Sequence, residues 1–320
     1  MSTTPSRRTI LKATGIGLLG LGAAAAVPSA TAAATVPTSS RFDLSQPSYE
    51  RFRSVSLHES HHAMQGMAYD NVNRRLYIAQ IRNGSDGDDL CINQLSIEGE
   101  LTGHMHVNNA GHGVSIGVEP VGSASCIWME SNSSEHSDDG RGTALARFKF
   151  VNGGTPSSVK KFLTGSKSIT CATDPVYKRL LVRRSEGGHM HYRLFSLADA
   201  AAGRFSSPLA SFDQPKLGDG SVTFQGYTVL GRYLYTLDGT GHADASDINS
   251  YVTAIDMNSG KVVQRSLTKA GKTLVFREPE GMMVYKTVGG HLRLCFGFAS
   301  RPSMSSSTRY ASVYYKDVLI

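Results

Sequence analysis

The chain has 320 residues, 40% of them hydrophobic and 18% charged, and carries a formal net charge of +7. It is too weakly basic for a nucleic-acid binder, whose positive charge is dense and clustered. The mild positive field that remains suits a polyanionic partner outside the cell.

Residues 1–34, MSTTPSRRTILKATGIGLLGLGAAAAVPSATAAA, form the first element in chain order. Paired Arg7 and Arg8 precede a Gly/Ala-rich apolar run and small residues suited to cleavage after Ala32 or Ala34. Ser6, Arg7, Arg8, Ile10, Leu11 and Lys12 resemble a twin-arginine export signal, which carries proteins out folded. The run is too short and glycine-rich for a membrane span, so the expected product is secreted, without stable membrane insertion. Residues 35–48 then read as a linker and 49–320 as a single domain.

From residue 49 onward strand-like alternation bounded by Gly, Asn, Asp and Ser dominates. Only SLADAAAG, at 196–203, reads as a short helix. Five segments repeat a pattern of polar residue, small residue, strand, turn and second strand. They are MQGMAYDNVNRRLYIAQ (64–80), GHGVSIGVEPVGSASCIWME (111–130), ITCATDPVYKRLLVRRSEG (169–187), FQGYTVLGRYLYTLDG (224–239) and EPEGMMVYKTVGGHLRLCFGF (278–298). Their small residues, Gly66, Gly113, Cys171, Gly226 and Gly281, recur at intervals of 47, 58, 55 and 55 residues, which fit a four-stranded propeller blade. The expected fold is therefore an all-β five-bladed propeller. TRYASVYYKD (308–317) leaves the last blade one strand short, and YERFRSVSL (49–57) can supply it and close the ring, covering an otherwise unpaired edge.

In such a ring the residues before the small positions gather at one axial mouth: Gln65, His112, Thr170, Gln225 and Glu280. Cys91, Cys126, Cys171 and Cys295 are far apart, and three of them lie in apolar runs, which favours buried thiols over disulfides.

HAMQGMAYDNVNRRLYIAQ, GHGVSIGVEPVGSASCIWME, GRGTALARFKF, FQGYTVLGRYLYTLDG and REPEGMMVY resemble the five-bladed propeller of teichoic acid biosynthesis protein C-like proteins, a propeller shared with phage tail receptor-binding proteins. The likeness runs from about Phe42 to the C-terminus. It implies a secreted protein close to actinomycete hyaluronan-degrading lyases, and alternatively a binder or processor of wall teichoic acid. A lyase on a uronate polymer must neutralise the carboxylate, remove the proton on carbon 5 and protonate the leaving oxygen. His112 suits the base, because an imidazole titrates near working pH. Arg277, beside Glu280, is placed to pair bidentately with the carboxylate, with Arg183 and Arg184 as second choices. Tyr235, or Tyr69 or Tyr227, is the candidate proton donor. Gln65, Gln225, Glu280, Thr170 and Arg183 would hold sugar, joined by His62 from LHESHHAMQG, whose His58 and His61 lie on the same loop.

Hydrolysis, the rival chemistry, needs paired carboxylates, for which Glu278 with Glu280 and Glu119 with Glu130 are candidates. GHMHV and GHMHY set His104 with His106 and His189 with His191 on one strand face, but no third metal ligand is apparent for either pair. SDGDDL, with Asp86, Asp88 and Asp89, lacks calcium-loop spacing. No cofactor motif, phosphate loop or nucleophile elbow is present. The expected partner is an acidic polysaccharide, best matched by hyaluronan, bound by a monomer.

Overall fold

A computed structural model describes residues 35–84, 88–133, 140–218, 223–242 and 247–320. The expected leader and Asp86 lie outside the described residues. Among the described residues no helix is long and apolar enough to cross a membrane.

Among the described residues, twenty strands form five separate four-stranded antiparallel sheets. Blade one holds β2 (Met64–Asp70), β3 (Arg75–Ile81), β4 (Leu90–Leu95) and β5 (Leu101–Val107). Blade two holds β6 (Gly117–Val121), β7 (Ala124–Ser131), β8 (Ala144–Lys149) and β9 (Lys160–Phe162). Blade three holds β10 (Lys167–Asp174), β11 (Arg179–Glu186), β12 (His189–Ser196) and β13 (Ala210–Asp213), with the short helix α1 (Leu197–Ala201) before its last strand. Blade four holds β14 (Phe224–Leu230), β15 (Tyr233–Asp238), β16 (Tyr251–Asp256) and β17 (Lys261–Leu267). Blade five joins β18 (Val275–Lys286), β19 (Leu292–Arg301) and β20 (Tyr310–Lys316) to β1 (Tyr49–Ser56), which pairs antiparallel with β20. The chain is the five-bladed propeller that the repeat indicates, closed by its N-terminal strand.

The inner strands touch in the order β2, β6, β10, β14, β18 and back to β2. Crowded on both faces, they lose the in–out alternation of a half-exposed strand, and every residue of β2 is buried. The outermost strands, such as β1 and β17, alternate or face solvent. Asp70 and Asp174 set the turn after an inner strand in the same way. One carboxylate oxygen of each accepts two backbone N–H groups, from Val72 and Asn73 and from Val176 and Tyr177. The four cysteines are buried free thiols.

The stretch 35–48 is packed onto blades four and five. Phe42 and Leu44 are buried among Leu237, Val252, Leu274 and Phe296. Arg41 and Ile320 exchange backbone hydrogen bonds of 2.9 and 2.8 Å, so the two ends of the described chain form a second clasp beside the β1–β20 pair.

Candidate functional site at the axial rim

The inner strands approach so closely because their small residues face one another. A Cβ at Gly66 would lie 2.4 Å from Gly113 O, one at Gly281 would lie 2.6 Å from Gln65 O, and one at Gly226 would lie 2.9 Å from Gly281 Cα. Gly226 and Gly281 also hold φ values of +139° and +70°, which side chains oppose. Cys171, the fifth small residue, is fully buried.

The polar residues ahead of these positions lie on or just before inner strands that touch in a ring, and four of the five are buried there as a plug. Gln65, Thr170, Gln225 and Glu280 are all buried. Gln65 Nε2 donates to Glu280 Oε1 at 3.5 Å, and Thr170 Oγ1 lies 3.2 Å from Tyr227 OH. Glu280 Oε2 has no hydrogen-bond partner among the described residues. Burial, reinforced by the Glu278 carboxylate and opposed by Arg141, pushes the Glu280 pKa well above the ordinary carboxylate value.

His112 is half-buried, on the backbone leading into β6. The glycines beside it serve a buried carboxylate. Glu130 Oε1 accepts the Gly113 N–H at 2.7 Å, and Oε2 accepts the Gly142 N–H at 2.6 Å. A Cβ on Gly111 would fall 2.4 Å from Glu130 Oε2. The chain therefore wraps Glu130 and presents His112 from the bend, which removes Glu130 from any carboxylate pair for hydrolysis. Glu119 is likewise engaged, by Arg147 at 2.7 and 3.0 Å and by Trp128 Nε1 at 2.8 Å.

Two residues expected at the mouth are placed elsewhere. Arg277 is fully buried, and its guanidinium donates to Ala270 O, Ser250 Oγ and Thr268 O while lying over the Phe298 ring. Burial pulls its pKa down to about 9. It ties together the connection between blades four and five and has no face left for a sugar carboxylate. Tyr235 is also fully buried, with its hydroxyl oxygen accepting the Phe42 N–H, so it has no route to a leaving oxygen. Arg183 is half-buried, donates to Gln214 Oε1 and stacks over Phe224 at the start of β14.

Besides Arg141, which acts on Glu280, two guanidinium groups act on the neighbouring Glu278, those of Arg301 and Arg309, which flank the β19–β20 connection. Their guanidinium carbons lie 3.9 and 5.6 Å from the centroid of the half-buried Phe276 ring. Both draw down the pKa of Glu278, which burial raises. Arg309 N–H donates to Ser60 O, which joins this ledge to the loop carrying His62. Desolvation lowers the pKa of half-buried His62, helped by His61 and Arg309 and opposed by Glu59. Arg301 ends the apolar strand β19 and Arg309 immediately precedes β20.

Glu280→Gln tests the plug. An acid whose folded pKa is raised contributes stability that is full below its unfolded pKa and is lost as pH rises through the folded value. The wild type is therefore expected to lose stability relative to Glu280→Gln between about pH 5 and pH 8, each pKa unit of difference being worth about 1.4 kcal/mol. Melting curves at both pH values check this; a gap that does not widen with pH shows Glu280 ionised in the folded state.

Residues 63–315 match the family model described as the phage 5-bladed β-propeller receptor binding platform domain. No curated protein matches. Among solved structures, the tail fiber of Staphylococcus aureus phage P68 is similar at a TM-score of 0.69 and 16% identity, over 87% of this chain and 54% of that one. This chain thus spans about half the length of that fibre. An endo-arabinase from Bacteroides thetaiotaomicron VPI-5482 is similar at a TM-score of 0.48 and 12% identity, over 83% of this chain and 98% of that one. From the extent of the family match, this chain belongs to the phage five-bladed β-propeller receptor-binding platform family.

Proposed function

We propose that this protein is an exported propeller that binds an anionic cell-surface or matrix glycan across the axial rim. The observation that carries this reading is the basic and aromatic ledge of Arg301, Arg309 and Phe276, next to His62 and the polar mouth. Guanidinium groups pair with carboxylate or phosphate in a planar fork, and an aromatic face packs against the apolar side of a sugar ring. The receptor-binding family and the twin-arginine-type leader support a ligand met outside the cell. Hyaluronan, a uronate polymer, is the best single match, and wall teichoic acid is the phosphate-bearing alternative.

Replacing both Arg301 and Arg309 by alanine is expected to weaken hyaluronan binding by about tenfold or more, since a hydrogen bond to a charged group contributes about 1.5–3 kcal/mol. Raised salt should weaken wild-type binding. Arg204→Ala, an exposed cation on blade three paired with Asp199, serves as the control. Calorimetric titration with hyaluronan and with teichoic acid distinguishes the two ligands, and equal affinities for the double variant and the wild type would remove the ledge from the site.

A second reading adds cleavage by β-elimination, and it is favoured by His62, a half-buried imidazole whose pKa is lowered beside Arg309. A neutral imidazole here, or that of His112, would take the proton from carbon 5. The released electron pair forms the carbon 4–carbon 5 double bond as the bond to the leaving oxygen breaks, and that oxygen then takes up a proton. Incubation with hyaluronan reads this out as unsaturated-uronate absorbance. New reducing ends without that absorbance indicate hydrolysis, and neither signal leaves a binding protein.

A further inference from the structure

We propose that His58, His104 and His106 form a binding site for a divalent transition-metal ion of the zinc class on the rim of blade one. One ring nitrogen from each of the three lies within 4.8 Å of the others. Zinc binds imidazole nitrogen at about 2.0–2.1 Å, so ligands at tetrahedral corners stand about 3.4 Å apart. Closing the set takes a rotation of the His58 ring, which now stacks on His104. His104 and His106 are the i and i+2 pair of β5, directed to one face while Met105 is fully buried on the other. The third ligand, absent from the sequence pattern, arrives from the loop before β2.

That loop is held by polar groups inside the blade. Asn93 and Gln80, both fully buried, are diagonal neighbours on β4 and β3, whose cross-strand partners are Ile78 and Cys91, and are joined by a 3.2 Å hydrogen bond. Asn93 Oδ1 accepts the His58 N–H, Gln80 Oε1 accepts the Glu59 N–H, and Gln80 Nε2 donates to Glu59 O and His62 O. Burying two amides is unfavourable unless they are paired, and here their partners are the backbone of the loop that delivers His58. The opposite edge of β5 is fixed as well: His104 N–H donates to Asn152 Oδ1 and His106 N–H donates to Gly154 O.

Glu59 completes the arrangement. Its Oε2 accepts the Asn83 N–H, and its Oε1 lies 2.9 Å from His106 Nε2. A carboxylate there requires His106 to carry its proton on Nε2, leaving Nδ1 as the ligand atom, the role a carboxylate plays behind a metal-bound histidine. His58 stacks on His104 with ring centroids 3.5 Å apart and a 12° interplanar angle. Two ligands of one ion present ring edges to it, so metal binding rotates exposed His58 out of that stack. Cys91, which forms an alternative set with Glu59 and His106, is fully buried and has no path for an entering ion. Among the described residues the other pair joins no such set, and His191 has both ring nitrogens engaged, by Asp213 and Ser211.

The test uses full-length protein without a polyhistidine tag, stripped with chelator and titrated with Co²⁺ and then Zn²⁺. We expect one equivalent of Co²⁺ to give visible ligand-field bands that Zn²⁺ abolishes, and Zn²⁺ to raise the melting temperature. His58→Ala and His104→Ala should each weaken binding by at least about tenfold, while His61→Ala, on the same loop but outside the set, should leave it unchanged. His58 is exposed, so its replacement keeps the fold intact. Wild-type protein without cobalt bands, or undiminished binding in His58→Ala and His104→Ala, overturns the proposal.

Discussion

Gly66→Ala is expected to reduce stability by about 3 kcal/mol, at the upper end of the usual penalty for overpacking, or to prevent folded protein from accumulating. The added Cβ would lie 2.4 Å from Gly113 O and 3.1 Å from Ser115 N and Cα. All three atoms are backbone of the adjacent inner strand region, so no side chain can rotate away. Relief requires the first two blades to separate at the axis, where Gly281 in turn rests on Gln65 O and Gly66 Cα. A local movement therefore propagates round the ring. Gly122→Ala is the control. It has open space around it and a φ of +58°, so it should lose only about 1 kcal/mol through local backbone strain. Denaturant unfolding of the two variants separates the effects: similar midpoints would mean that the axis can widen without breaking the packing between blades.

The blade repeat was readable because each inner strand faces the same physical constraint. Closeness to the axis selects a small residue, and the following turn selects residues such as Asp70 and Asp174 that satisfy its backbone. Closure by residues 49–56 was readable too, because the fifth repeat lacked a fourth strand. The rim chemistry was less legible. REPEG places Arg277 beside Glu280 in sequence, but Arg277 falls in the register shift between Val275 and Glu278 and enters the core between blades four and five. Arg301 and Arg309 reach the rim only because β19 ends and β20 begins there, and the sequence gives no sign that both will meet Phe276. Likewise GHG suggested a histidine at a mouth, yet its glycines answer to Glu130, which lies on the next strand. His58 joins His104 and His106 through Asn93, a link that depends on three-dimensional register.

Arg277→Ala is expected to lower stability by about 3–5 kcal/mol while leaving the glycan affinity of the folded protein unchanged. The wild-type guanidinium donates to Ala270 O at 2.7 Å, Ser250 Oγ at 2.8 Å and Thr268 O at 3.1 Å. Truncation leaves these acceptors without their partner and opens a cavity against Phe298, whose ring centroid lies 3.8 Å from the guanidinium carbon. No carboxylate among the described residues offsets the buried charge, so its retention reflects those three bonds and the ring. Arg277→Lys should recover only part of the loss, because an ammonium group cannot direct donors along the same planar fork. The glycan ledge responds in the opposite way: Arg301 and Arg309 are half-buried, and their removal should alter affinity far more than melting temperature. Measuring unfolding and glycan titration on both sets gives a crossed result. If Arg277→Ala instead melts like the wild type and fails to bind glycan, the arginine must leave the core to meet its ligand, and the division between a structural Arg277 and a ligand-binding ledge fails.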